Sequence, residues 1–134
     1  MRSDVREEQC AEILAALDAL GDIQAELVDL SMRRDERRRQ DLIAQRRALA
    51  VHTAKVGERV DALLGDIGDE ALMADFRRLF SVLRAKSATH QANWSAVRVG
   101  ERETEYLTSA REAGAAYRAL IDWLRATIAD IIKR

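Results

Sequence analysis

The sequence predicts an all-α protein whose long helices pack as an antiparallel hairpin or a coiled-coil-like bundle. The 134 residues include no proline and only six glycines, and aromatic residues make up 4% of the chain. A β fold of this length would need turn residues about every 8–12 positions, which this composition does not supply. The apolar fraction of 48% is normal for a globular chain, so we expect one folded helical domain over residues 1–134.

The first arm of the predicted hairpin covers about residues 3–64. Its apolar residues recur at alternating steps of four and three, as in a helical seam, in one run over 13–27 and another over 42–67. The two runs are out of register by one residue. Between them, residues 33–41 contain no apolar side chain. The sequence therefore leaves open whether a solvated helix continues there or the chain bends.

The turn between the arms is predicted at residues 65–69, where glycine and aspartate cluster. Gly65 can supply the left-handed residue that ends a helix. Asp69 can cap the next helix, and Glu70 in its first turn is favoured by the helix dipole. Two helical arms that fold back on each other are the simplest interpretation.

The second arm is predicted over about 70–112, and a C-terminal helix over about 115–133, with Gly114 as a kink or break between them. The apolar stripe of this last helix is wider than a two-helix seam needs. We expect it to find additional contacts with a third helix, a second copy of the chain or a partner. Its predicted partner-binding residues are Tyr117, Leu120, Trp123, Leu124, Ile128 and Ile131.

A hairpin centred near residue 67 has a register that can be checked. It pairs Leu27 with Leu107 and places Gly21 beside Ala113 and Gly114. It also places the basic run at 33–39 opposite three acidic residues of the second arm. These are Glu101, Glu103 and Glu105. Several seam positions are polar, which favours a weak, adaptable coiled coil over a permanent one. They are Gln24, Ser31, Arg46, Thr53 and His90.

Composition and motifs argue against catalysis. The single Cys10 excludes a disulfide within the chain and a cysteine zinc site. His52 and His90 lack the Glu-x-x-His pattern and have no histidine or cysteine three or four residues on, so we expect neither a metal nor a cofactor. No stretch approaches the roughly 18 apolar residues of a membrane span, and the charged N-terminus is unlike a signal peptide. We therefore predict a cytoplasmic, non-enzymatic protein.

Two motifs suggest other functions. The segment from Val51 to Lys55 resembles the phosphorylatable motif of histidine phosphotransfer domains, although Val56 stands where that family has a small residue. Arg33 to Arg47 holds seven arginines and three acidic residues, a stripe that can neutralise phosphates. The interleaved acids and the net charge of −1 instead favour a solvated face or interhelical ion pairs, and not a nucleic-acid site.

Three segments of the second arm, 76–84, 90–94 and 100–107, carry an apolar stripe, a polar His/Gln/Asn patch and a Glu-Arg run. In these segments the chain resembles the FlgN-type flagellar export chaperones, a family that pairs a leucine-rich N-terminal helix with a helix of this kind. The resemblance implies a chaperone that sequesters an amphipathic helix of a hook–filament junction subunit with its C-terminal region and delivers that cargo to the type III export apparatus. The alternatives are a phosphotransfer protein that uses His52 and an oligomeric structural coiled coil. A homodimer is also left open.

Overall fold

The computed structural model describes residues 2–95 and 103–134, and within these ranges it contains four α-helices and no strand. Helix α1 spans Arg2–Met32, α2 Arg38–Ile67, α3 Glu70–Asn93 and α4 Glu103–Lys133. The helices pack on one another as a bundle. The predicted all-α fold of long, packed helices is confirmed.

The chain bends between α1 and α2, so the first arm is two antiparallel helices and not one arm over 3–64. The bend lies in the stretch without apolar side chains, where a continued helix would have no core to pack against. Asp35 stabilises it by accepting two hydrogen bonds from the Arg33 guanidinium, both 2.7 Å, and one of 3.0 Å from the Arg37 N–H. The Arg33 guanidinium first, and the Arg37 N–H after it, lower the pKa of Asp35 to about 2.

The turn between α2 and α3 lies at Gly68 and Asp69. Gly68 adopts the left-handed conformation, with φ 77° and ψ 20°, and its N–H donates to the Leu64 carbonyl at 2.9 Å. The prediction that Gly65 ends this helix is wrong, because Gly65 lies inside α2 and the helix continues to Ile67. The predicted cap of α3 is present, since the Asp69 carboxylate accepts from the Leu72 N–H at 3.1 Å.

Helix α4 runs through Gly114 without a break, so the predicted boundary between 70–112 and 115–133 is wrong. One glycine inside a helix costs about 1 kcal/mol relative to alanine. Ala113 and Tyr117 are buried on either side of Gly114, and their packing offsets that cost. The second arm divides earlier, where α3 ends at Asn93. Gly100 lies outside the described residues.

The bundle consists of two helical hairpins. Helix α1 packs closely along α2, and α3 along α4, whereas the hairpins meet more sparsely through α1 with α4 and α2 with α3. The main core lies where all four helices meet, and it includes Leu17, Leu63, Phe76 and Leu120. The wide stripe of α4 is thus covered from two sides, by α1 and by α3. The third helix that we expected for this stripe comes from the same chain.

The basic run meets the second arm in the predicted way at Glu103. Arg34 forms an ion pair with Glu103 at the start of α4. Arg33 instead pairs within the bend, with Asp35 at 2.7 Å and with Asp41 at 2.9 Å. Glu101 lies outside the described residues, and Glu105 is exposed. At these positions the arginines act as interhelical and local ion-pair partners.

Candidate binding groove

The core of the bundle is interrupted near one end. A small second core joins the four helices beside the α1–α2 bend, and it consists of Leu30, Leu42, Trp94 and Tyr106. Between this second core and the main core, α2 carries Arg46 and α3 carries Ser87 and His90. Polar side chains thus occupy a level of the bundle where apolar ones would normally pack.

Hydroxyl, amide and imidazole groups at this level form two hydrogen-bonded sets, which we together call the polar layer. Tyr117 donates from its hydroxyl to Ser87 Oγ at 3.4 Å and lies 3.5 Å from Thr53 Oγ1. Gln91 Nε2 donates to the same Ser87 oxygen at 3.4 Å. His90 Nδ1 lies 2.7 Å from Ser109 Oγ. The polar layer thereby links α2, α3 and α4.

Helices α1 and α4 leave a groove of about 530 Å³ beside the polar layer. We call it the α1–α4 groove. Small residues open it: Gly21 and Ala25 on α1, and Ala110, Ala113 and Gly114 on α4. A Cβ added at Gly21 would meet no atom within 4 Å. The volume lies within the range of about 300–1,000 Å³ typical of ligand pockets.

The mouth of the groove is apolar. Val28 and Met32 line it on α1 and are 59% and 62% exposed. Leu27 on α1 and Leu107 on α4 line the same groove, which agrees with the predicted register. An apolar surface that continues from an exposed rim into a cleft is typical of sites that bind a partner.

Arg46 lies at the floor of the α1–α4 groove. Its side chain is half-buried, and its Nη2 atom is inaccessible to solvent and has no hydrogen-bond partner within residues 2–95 and 103–134. An unsatisfied buried donor costs about 1–3 kcal/mol. Burial lowers the pKa of Arg46. Burial also lowers the pKa of His90 to about 4, with a smaller contribution from the positive charge of Arg46.

The charges that line the groove have one sign. Arg46, Arg111 and Arg118 are among its lining residues, and none of the described lining residues is acidic. A second groove of about 460 Å³ lies between α2 and α3, and we call it the α2–α3 groove. Its lining is mixed in charge, with Glu58, Asp61 and Arg84. The α1–α4 groove therefore has a preference for negative charge that the α2–α3 groove does not share.

Most of the predicted partner-binding residues lie in the core. Leu120, Leu124, Ile128 and Ile131 are buried in the main core, and so is Tyr117, whose ring also borders both grooves. Trp123 is half-buried and stacks on Phe76 of α3, with 6.5 Å between ring centroids. In the bundle this stripe is covered by α1 and α3, and its role in binding a partner stays a prediction.

The other residues singled out from the sequence are scattered. His52 is half-buried on α2 and lines neither groove. Cys10 is a free thiol buried in the main core, and burial raises its pKa. Within the described ranges, no three His, Cys, Asp or Glu side chains are grouped closely enough to hold a metal ion. None of the four helices, as far as they are described, is long and apolar enough to cross a membrane.

Comparisons of this chain with protein-family models, with curated proteins and with solved structures find no match. The geometry of the groove is therefore the basis for assigning a function.

The α1–α4 groove is not predicted as a site from the sequence, although two features of the sequence indicate it. Gly21, Ala113 and Gly114 were expected to lie side by side, but as close packing and not as the walls of a cleft. Arg46 and His90 were recognised as polar residues at seam positions, but were interpreted as signs of a weak coiled coil. Small residues facing each other beside a buried arginine are the combination that indicates the groove.

Proposed function

We propose that this chain is a non-catalytic binding protein that holds an amphipathic helix of a partner protein in the α1–α4 groove. The single observation that carries the proposal is the groove itself, which is apolar, open along its α1 rim and lined by small residues on both walls. A helix laid into such a groove inserts side chains spaced at three and four residues. Exposed Val28 and Met32 extend the apolar contact beyond the cleft.

The finer proposal is an export chaperone. The sequence resemblance to FlgN-type chaperones supports a cytoplasmic protein that shields the terminal helix of a flagellar junction subunit until its export. Covering such a helix would prevent premature polymerisation of the cargo. In the closed bundle the cargo helix would lie against Tyr117, the one predicted partner-binding residue that lines the α1–α4 groove. Leu120, Leu124, Ile128 and Ile131 would hold α4 in the bundle through the main core.

Photo-crosslinking tests the proposal. A benzoylphenylalanine placed at Val28, at the groove mouth, should form an adduct with a helical segment of one protein in cells of the native host. The same group at Val82, which is exposed on α3 away from the groove, should not. Mass spectrometry of the adduct identifies the segment, and a flagellar subunit would support the export role.

A substitution that fills the groove, compared with the same substitution elsewhere, controls the crosslinking experiment. Gly21→Leu places a side chain in the open space of the groove and should abolish the Val28 adduct. Gly65→Leu makes the same change on the exposed side of α2 and should leave it intact. Adducts that persist in Gly21→Leu, that form equally from Val82, or that map to a second copy of this chain would contradict the proposal.

A further inference from the structure

We propose that Arg46 is a carboxylate receptor at the floor of the α1–α4 groove, so that the bound helix carries an aspartate or glutamate in the middle of its apolar face. This inference rests on the proposed function of the groove. It adds the chemistry by which the site distinguishes one amphipathic helix from another.

The first support is the unused hydrogen-bonding capacity of Arg46. Its Nη2 is buried and has no hydrogen-bond partner among the residues that the structure describes, and the half-buried side chain lines the groove. A guanidinium has five N–H donors and no acceptor, so it requires an oxygen acceptor from whatever fills the space beside it. A carboxylate is the acceptor that a guanidinium binds most specifically, through paired N–H···O bonds.

The second support is electrostatic. Arg111 and Arg118 also line the groove, and no described lining residue is acidic. Two groups interact electrostatically with Arg46, and neither supplies a compensating negative charge. His90 is held in its neutral form at neutral pH, and Tyr106 is a phenol. An anionic occupant therefore meets an uncompensated positive charge, whereas a cationic occupant meets a repulsive one.

The third support is preorganisation. Part of the desolvation of Arg46 has already occurred in the free protein, because the side chain is half-buried and its Nη2 atom is inaccessible to solvent. A carboxylate that enters the groove therefore bears the cost of its own desolvation but only part of the cost for its partner. The single positive charge of Arg46 matches the single negative charge of an aspartate or glutamate. The apolar walls of the groove on either side of Arg46 match the apolar residues that flank this acid on the bound helix.

Two synthetic peptides test the inference. Both are fluorescent 18-residue helices with leucine and alanine on one face and glutamine on the other; one has Glu at the centre of the apolar face and the other has Gln. In anisotropy titrations with the full chain, the Glu peptide should bind about ten- to a hundredfold more tightly than the Gln peptide, the range expected for a hydrogen bond to a charged group. Arg46→Gln should bring the two dissociation constants together, and Arg46→Lys should retain part of the preference.

The outcomes separate the two proposals. Equal binding of both peptides to the wild type, lost in Gly21→Leu, would overturn the carboxylate receptor and leave the groove as a helix site. Binding that Gly21→Leu does not weaken would overturn both. Failure of both peptides to bind would also overturn both. If dodecanoate binds in an Arg46-dependent manner while the peptides do not, the groove serves a small-molecule carboxylate and the helix is the wrong occupant.

Discussion

Arg46 is the residue that most distinguishes this bundle from a simple helical scaffold. It occupies a seam position between Leu42 and Leu49, both of which are buried. A leucine at this level would join the second core to the main core. The arginine instead leaves a buried donor without a partner, an arrangement that lowers stability in exchange for a binding group.

This arrangement predicts that Arg46→Met stabilises the free protein. Replacing a half-buried guanidinium that has an unsatisfied Nη2 by an apolar side chain of similar length should raise the free energy of unfolding by about 1 kcal/mol. Urea denaturation monitored by circular dichroism measures the change. Arg47→Met, at the exposed neighbouring position, is the matched control and should stay within about 0.5 kcal/mol of the wild type. A destabilised Arg46→Met would mean that Arg46 has a structural role.

His90 gives the bundle a predicted pH dependence. Its pKa is about 4 in the folded protein against an ordinary value of 6.5, so between these values the unfolded chain binds the additional proton. The free energy of unfolding should therefore fall as the pH drops from about 6.5 to about 4, by about 1–2 kcal/mol once partial solvent exposure of the ring is allowed for. Urea titrations at several pH values measure this slope. In His90→Gln the slope over this window should become shallower, and an unchanged slope would assign it to other groups.

At the scale of the helices, the turn between α2 and α3 depends on the left-handed conformation of Gly68. Gly68→Ala should lower the free energy of unfolding by about 1 kcal/mol, because a Cβ is strained at φ 77°. Gly65→Ala should raise it by about 0.5–1 kcal/mol, since Gly65 is helical and a Cβ there has open space around it. Thermal or urea unfolding of the pair should thus show shifts of opposite sign. Shifts of the same sign would indicate that α2 ends at Gly65 and not at the turn that contains Gly68.

The C-terminal half of α4 is predicted to act as core. Leu124 is 1% exposed, and Leu124→Ala should cost about 2–5 kcal/mol. Ile132 lies on the same helix but is 55% exposed, so Ile132→Ala should change stability by less than about 0.5 kcal/mol. Denaturation of both variants measures the difference. A small effect of Leu124→Ala would indicate that α4 is not held in the bundle and that its stripe is available to partners.

The helices themselves could be predicted from the sequence, because long runs with helical periodicity and no proline leave no other regular structure. The Asp69 cap was predictable for the same reason, since its mechanism is local. The break after Met32 was left open, and Gly65 and Gly114 were assigned as helix ends. The assignment of Gly65 failed because the left-handed conformation falls on the next glycine, Gly68. The assignment of Gly114 failed because its neighbours Ala113 and Tyr117 pack in the bundle, and the sequence does not show which residues tertiary packing will cover.

At the scale of the whole molecule, the two hairpins form a closed bundle with a groove along each seam. The predicted register placed the walls of the α1–α4 groove opposite each other, as Gly21 with Ala113 and Leu27 with Leu107 show. The depth of the groove was not predictable, because it depends on the distance between α1 and α4.

The central claim is that ligands enter the α1–α4 groove. It is tested most directly by backbone amide NMR of the isotope-labelled protein during titration with the Glu-containing helical peptide. The claim predicts chemical-shift changes concentrated at Gly21, Ala25, Ala110 and Gly114, with the α2–α3 groove unaffected at Ala54 and Ala88. Changes concentrated in the α2–α3 groove, or no changes at all at saturating peptide, would contradict it.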